Sequence, residues 1–274
     1  MGIGNGPSRP NIIVLVPHDT GQFISPYGMD TVDTPACERL AGEGVRFSNH
    51  FCTSPLCSPA RAALLTGRYS HQNGVHGLVM NVTGGFDLAD NPSERHLVSY
   101  LRDAGYQSVL IGGMHESKYP ERLGFDAHDW DADIRDIPAA MDSWLSGRDK
   151  GRPFYLQVGS WVTHRDTDGN GWTAHEIEPD DTKGIWLPPF LEESEQLRRE
   201  MAQMQGAVKR YDLAVGQILD TIDKHGIAEN TILVSTTDHG IDFPRAKGTL
   251  YDPGIETLMM VRYPAGGWGE GRVV

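Results

Sequence analysis

Short β-branched apolar runs alternate along this chain with longer segments in which apolar residues recur every three to four positions. Asn11–Val16 (NIIVLV) is the clearest run and predicts a buried parallel strand. Ser108–Ile111, Pro153–Trp161, Thr231–Ser235 and Thr257–Val261 predict further strands, and Val45–Phe51 an extended segment. The helical pattern predicts Pro35–Ala41 with Thr34 as cap, and Ala60–Leu65 with Ser58 as N-cap and Pro59 at the first position. It also predicts Ser93–Ala104, Ile137–Leu145 and a long amphipathic region over Leu191–His225. Strands alternating with helices imply an α/β fold with a parallel sheet covered on both faces. No internal repeat or low-complexity linker interrupts the pattern, so residues 1–274 read as one domain. The polar stretch Arg165–Pro189 is the candidate lid or specificity loop.

The chemically capable residues are not scattered. His18-Asp19, His115, His164 and Asp238-His239 each follow a predicted strand, and Cys57 precedes a predicted helix. Ligands of open α/β sheets bind beyond the carboxyl ends of the strands, so this placement predicts one site at one sheet edge.

Charge sharpens the expectation. Against 37 Asp and Glu stand 24 Lys and Arg, a formal net charge of −13. That balance argues against nucleic acid or an anionic membrane surface as partner. Any anionic substrate must meet locally concentrated positive charge. Cys37, Cys52 and Cys57 form no readable disulfide framework. No apolar run reaches membrane-spanning length. The start MGIGNGPSRP has no apolar signal segment, so the expectation is a cytoplasmic chain by default, an exported form remaining open if a signal was removed.

Cys57 heads a Cys-x-Pro-x-Arg pattern ending at Arg61. A nucleophile at a helix start sits beside free N–H groups that favour an anion, and Arg61 lies one turn on, able to point back toward position 57. A structural cysteine is the plain alternative. The C-x5-R loop of thiolate phosphatases is absent. Asp19 and Asp238, from different strand ends, suit a hard cation such as calcium or magnesium, with His18 and His239 as adjacent partners. Asp166–Gly171 imitates half of a calcium loop, but Ile177 stands where that loop needs Glu, so it reads as a polar turn.

The block CSPARAALLTGRYSHQNGV resembles the sulfatase branch of the alkaline-phosphatase-like superfamily, as do RPNIIVLVPHDTG and TTDHGIDFPRAKGTLYDPG. CSPARAALLTGRYSHQNGVHGL and DHGIDFP are particularly similar to the sulfamidase (heparan N-sulfatase) type. The resemblance implies a three-layer sandwich and a hydrolase of sulfate esters or sulfamates, including those of sulfated glycans. It implies that a separate maturation enzyme converts Cys57 to formylglycine, which serves as nucleophile and metal ligand. His18, Asp19, Asp238 and His239 would complete the shell of a divalent metal, calcium first, with Mg2+, Mn2+ and Zn2+ as alternatives. Arg61 would stabilise the formylglycine hydrate, His115 help deprotonate it, His164 act on the leaving group and Lys247 bind sulfate oxygen.

The chain also departs from the family pattern. His18 stands where sulfatases carry Asp, Gly113 where they carry Lys in G-K-x-H, and Ala60 where Ser is commonest. Lys118 is a nearby substitute cation. The sequence ends at Val274, soon after a predicted strand, so the expectation is a catalytic domain lacking the smaller C-terminal subdomain. Two alternatives follow: a phosphonate monoester or phosphodiester hydrolase of the same superfamily, and a non-catalytic sulfoglycan-binding relative.

Overall fold

The computed structural model describes residues 9–79, 86–90, 95–166, 171–172 and 178–274. In chain order the elements are β1 (Asn11–Pro17), α1 (Pro35–Gly42), β2 (Val45–Arg46), α2 (Cys57–Thr66), α3 (Ser70–Asn73), α4 (Leu97–Asp103), β3 (Gln107–Gly112) and α5 (Pro120–Leu123). They continue as β4 (Ala127–Asp129), α6 (Ile137–Gly147), β5 (Phe154–Ser160), α7 (Glu195–Lys224), β6 (Thr231–Thr236), α8 (Asp252–Ile255), β7 (Met259–Arg262) and β8 (Arg272–Val273).

One sheet runs in the order β4-β3-β5-β1-β6-β7-β2-β8. β1 is central and parallel to both neighbours, Ile13 facing Leu156 on one side and Leu233 on the other. β7 is antiparallel to β6 and to β2. Alternation along β1 divides the core. Ile13 and Leu15 join a cluster with α1, α6 and α7, while Val14 and Val16 join one with Ala62, Val98 and Leu123 from α2, α4 and α5. Both sheet faces are therefore buried, which gives the expected α/β three-layer sandwich.

Several element ends differ from expectation for identifiable reasons. α2 begins at Cys57 with Leu56 as cap, because the Ser58 hydroxyl instead accepts the Val79 N–H at 3.1 Å. Thr34 sits at the N-cap of α1, but its side chain does not cap. Asp212 of α7 takes that task across the layer, accepting the Ala36 and Cys37 N–H groups at 3.1 and 2.8 Å. α7 starts at Glu195 rather than Leu191, since the Ser194 hydroxyl accepts the Leu197 N–H. The expected start of α4 at Ser93 lies outside the described residues, and the helix is capped by His96. Val45–Phe51 pairs as a strand only over Val45–Arg46, with a single bridge from Phe51 to Glu256. The last predicted strand is shifted to Met259–Arg262. Residues 167–170 of the calcium-loop imitation and 173–177 of the long loop are outside the described residues. Within that loop Arg165 bridges to Trp172 and lies over the Trp172 and Phe243 rings. Among the described residues no helix is long and apolar enough to cross a membrane.

Candidate active site

The strand order places β3, β5, β1 and β6 side by side, so the residues after them converge at one edge. β1 delivers His18 and Asp19, β6 delivers Asp238 and His239, β3 leads to His115 and β5 to His164. α2 brings Cys57 and Arg61 in from one face. The close approach of β3 to β5 depends on glycine. A Cβ at Gly159 would lie 1.6 Å from the Gly113 carbonyl oxygen, and one at Gly112, where φ is +78°, 2.2 Å from the Gly159 carbonyl oxygen.

Asp19 turns out of β1 in the left-handed region, at φ +49°, which aspartate tolerates better than most residues. Its N–H donates to Asp238 Oδ1 at 2.9 Å. Its carboxylate is surrounded by cationic groups: His239 Nε2 is 3.0 Å from Oδ1 and Lys247 Nζ is 2.7 Å from Oδ2. Asp238 is treated alike, with His18 Nδ1 and Arg61 Nε each 3.0 Å from Oδ2. Burial raises the Asp238 carboxyl, but the charges of His239, His18 and Arg61 overcome it and hold the group well below the usual range.

Cys57 is fully buried, with Sγ 3.2 Å from His239 Nε2 and 3.8 Å from Asp19 Oδ1. Burial disfavours its thiolate, yet the charge of His239, with hydrogen bonding to His115 and His164, holds the thiol well below its ordinary value. Burial lowers His115. Burial also opposes charge on His164, but the Cys57 and Asp19 side of its ring raises it. His164 Nε2 stands 3.4 Å from Lys247 Nζ, and Lys247 also reaches Asp242 at 3.2 Å. Lys247 is thus largely buried against Asp19, His164 and Asp242 rather than solvated.

Arg61, expected to reach back toward position 57, is directed elsewhere. Its Nε is used on Asp238 and its Nη2 on the Val16 and Pro17 carbonyls at 3.0 and 3.3 Å, tying α2 to the end of β1. Only Nη1 is left, buried and without a hydrogen-bond partner among the described residues. Lys118 does not replace the absent lysine. It is exposed, and its N–H is held by Asp87. The space over Gly113 belongs to Trp161, whose indole would lie 2.9–3.1 Å from a Cβ there.

The donor set can be tested for a cation. His239 Nδ1 lies 2.9 Å from the Gly240 carbonyl and is therefore the protonated nitrogen, so Nε2 presents a lone pair to Asp19 Oδ1 unless the ring is charged. Two acceptors facing each other at 3.0 Å require positive charge between or on them. In the fully buried His18, Nδ1 faces Asp238 Oδ2 at 3.0 Å and Nε2 lacks a hydrogen-bond partner among the described residues. His18, Asp19, Cys57 and Asp238 each bring one donor atom within 4.8 Å of the others, as do His18, Cys57 and His115. Carboxylates with imidazoles in this arrangement fit a divalent metal.

Sequence reasoning missed three contributors. Trp161 stacks on His18 with ring centroids 4.7 Å apart. Asp242 anchors Lys247. Glu116, fully buried beside His115, accepts from Gln157 Nε2 at 2.9 Å and faces His96 at 3.6 Å. Burial alone would raise Glu116, but His96, Arg61 and Gln157 lower it to about 2. The adjacent Gly112-Gly113 pair was the one sequence signal that something bulky approaches from a neighbouring strand.

The sulfatase family profile matches residues 10–267. An ulvan-active sulfatase of Formosa agariphila is 29% identical over 297 residues, covering 94% of this chain and 48% of the relative. Human N-sulphoglucosamine sulphohydrolase is 30% identical over 287 residues, covering 94% and 56%. A solved protein from a glycosaminoglycan-metabolism locus of Bacteroides thetaiotaomicron superposes with a TM-score of 0.78 at 19% identity, covering 97% of this chain and 69% of its own. The chain spans about half the length of these two curated relatives. With a sulfatase profile matched across nearly its whole length, the chain belongs to the sulfatase family.

Proposed function

We propose that residues 1–274 form the N-terminal catalytic domain of a sulfuric ester hydrolase that cleaves sulfate esters or sulfamates, with sulfated glycans as the substrate class. The observation that carries this reading is the position of Cys57, its Sγ inside the ring of Asp19, His239, His115 and His164 with Lys247 at the mouth. Relatives named for ulvan and N-sulphoglucosamine support the glycan class.

In this reading a maturation enzyme oxidises Cys57 to formylglycine, whose hydrate offers one oxygen for attack on sulfur and a second hydroxyl whose deprotonation releases sulfate. A divalent cation, calcium by family likeness, with Mg2+, Mn2+ or Zn2+ as the alternatives, would be held by His18, Asp19, Asp238, His239 and residue 57, and would offset charge on the sulfate. Lys247 binds a sulfate oxygen, anchored by Asp242. His164 carries the proton for the leaving group, its raised basicity fitting it to hold one. His115, lowered by burial, is the base that takes the proton of the second hydroxyl. Arg61 offers Nη1 to the hydrate while its other nitrogens fix α2.

Mass spectrometry of the tryptic peptide Phe47–Arg61, after co-expression with a maturation enzyme, tests the nucleophile. The expected result is a thiol-to-aldehyde mass loss on Cys57 with Cys52 unchanged. An intact thiol at Cys57 would overturn the reading. Turnover of an aryl sulfate against an aryl phosphodiester then tests the substrate: cleavage of the diester alone would replace sulfatase by phosphodiesterase. Binding of sulfated glycan without turnover, by matured and metal-loaded protein, would leave a binding relative.

A further inference from the structure

Histidine ligands of metals are ordinarily oriented by a hydrogen bond from the ring nitrogen that does not face the metal. His239 follows that rule through the Gly240 carbonyl. His18 is fully buried; its Nδ1 stands 3.0 Å from Asp238 Oδ2, and its Nε2 has no hydrogen-bond partner among the described residues. A contact at one ring edge leaves rotation about that contact open, so the faces of the ring must be held by packing.

The indole of Trp161 lies against it. The two rings are nearly parallel, 14° apart, with centroids at 4.7 Å, while the same indole meets His115 at 5.3 Å and 63° and His164 at 6.2 Å and 89°. Trp161 follows β5 directly and can occupy this place only because position 113 carries no side chain. A Cβ there would sit 2.9 Å from Nε1 and 3.1 Å from Cδ1 and Cε2 of the indole. At 2.9 Å the neighbour would have to shift, and at 3.1 Å the contact is tighter than most real Cβ contacts, so a side chain at 113 would push the indole aside. The glycine at 113, the tryptophan at 161 and the histidine at 18 thus pack as one unit.

We propose that Trp161 is a positioning residue: by stacking on His18 over the bare backbone of Gly113, it holds the His18 imidazole in the plane required to ligate the cation. The proposal rests on the reading of His18 as a ligand, and the test separates the two.

Manganese(II) binding to the purified chain is measured by titration calorimetry for wild type, His18→Ala, Trp161→Phe, Trp161→Ala, Gly113→Ala and the double variant His18→Ala/Trp161→Ala. His18→Ala is expected to weaken binding about tenfold or more, and Trp161→Ala about tenfold, the range for removing an orienting group behind a metal ligand. Gly113→Ala should weaken binding by displacing the indole, and Trp161→Phe should retain most of it. In the His18→Ala background, Trp161→Ala should cost nothing further, because the ring it orients is gone. A general structural role would instead make the two losses add. If His18→Ala binds as wild type, His18 is not a ligand and the underlying reading fails. If His18→Ala weakens binding but Gly113→Ala and both Trp161 variants match wild type, the positioning role is overturned. If Trp161→Ala does not fold, Gly113→Ala against its His18→Ala double variant decides by the same coupling.

Discussion

The two halves of the site are built by different physics. On the β1–β6 side, Asp19 is gripped by His239 and Lys247 and Asp238 by His18 and Arg61, and Arg61 ties the ensemble to α2. On the β3–β5 side the carboxylate beside His115, Glu116, is turned to the His115 N–H, Gln157 and His96. Glycines let two strands close up, and an indole packs among three imidazoles. The first half is specified by charge, so a lost partner leaves an uncompensated ion. The second is specified by shape, so a lost partner leaves room. Each half should fail in its own way.

The largest effect is expected where the halves meet. Cys57→Ala should abolish sulfate ester turnover by about 10³-fold or more, while thermal unfolding stays within a few degrees of wild type, because a small buried group is replaced by a smaller one. Retained turnover would move the nucleophile away from α2. On the charged side, Asp238→Ala leaves the guanidinium of Arg61 buried without its counter-ion, and urea unfolding should show a loss of about 3–5 kcal/mol. A loss below about 1 kcal/mol would show that Asp238 is not the keystone of that half.

Lys247 lies at the mouth and is about one-seventh exposed, so Lys247→Ala should separate activity from stability. A fall of about 10²-fold in kcat/KM is expected, as for losing one preorganised donor to developing charge, with little change in unfolding midpoint. Equal loss of activity and stability would make it a structural cation. The smallest effect should come from Glu116, behind the shape-specified half. Its carboxyl is held at about 2, against an ordinary value of 4.5. A depressed folded-state pKa contributes stability that is present above the unfolded value and is lost as pH falls toward the folded one. Between pH 4.5 and 2 wild type should therefore lose up to about 3 kcal/mol more than Glu116→Gln does. Matching pH profiles for the two proteins would show that His96 and Gln157 do not hold an ionised carboxylate there.

How much of this could be read in the sequence follows the same division. The buried strands β1, β3, β5 and β6 are legible because a strand covered on both faces must be an unbroken apolar run. β4 is not, since all three of its residues are exposed and carry no pattern. The short α3, α5 and α8 are four residues each, below the length at which helical periodicity shows. The charged half of the site was legible because titratable residues at strand ends stand out by type. The aromatic half was not. A tryptophan ending an apolar strand is indistinguishable from core until the neighbouring strand's glycines are placed against it. Asp242 was missed because a loop places it, with no strand end or helical pattern to mark it, and Glu116 because its partners His96 and Gln157 lie far along the chain. The Thr34 cap failed for that reason too, as the capping carboxylate came from Asp212 in another layer.

The burial of Cys57 has a consequence in time. Cys57 has no exposed surface, and α2 is moored to β1 through Arg61. Under the proposed function, oxidation of this residue by a second enzyme would then have to come before α2 docks. The moment of docking would set a deadline, and chains that folded ahead of it would keep an ordinary thiol.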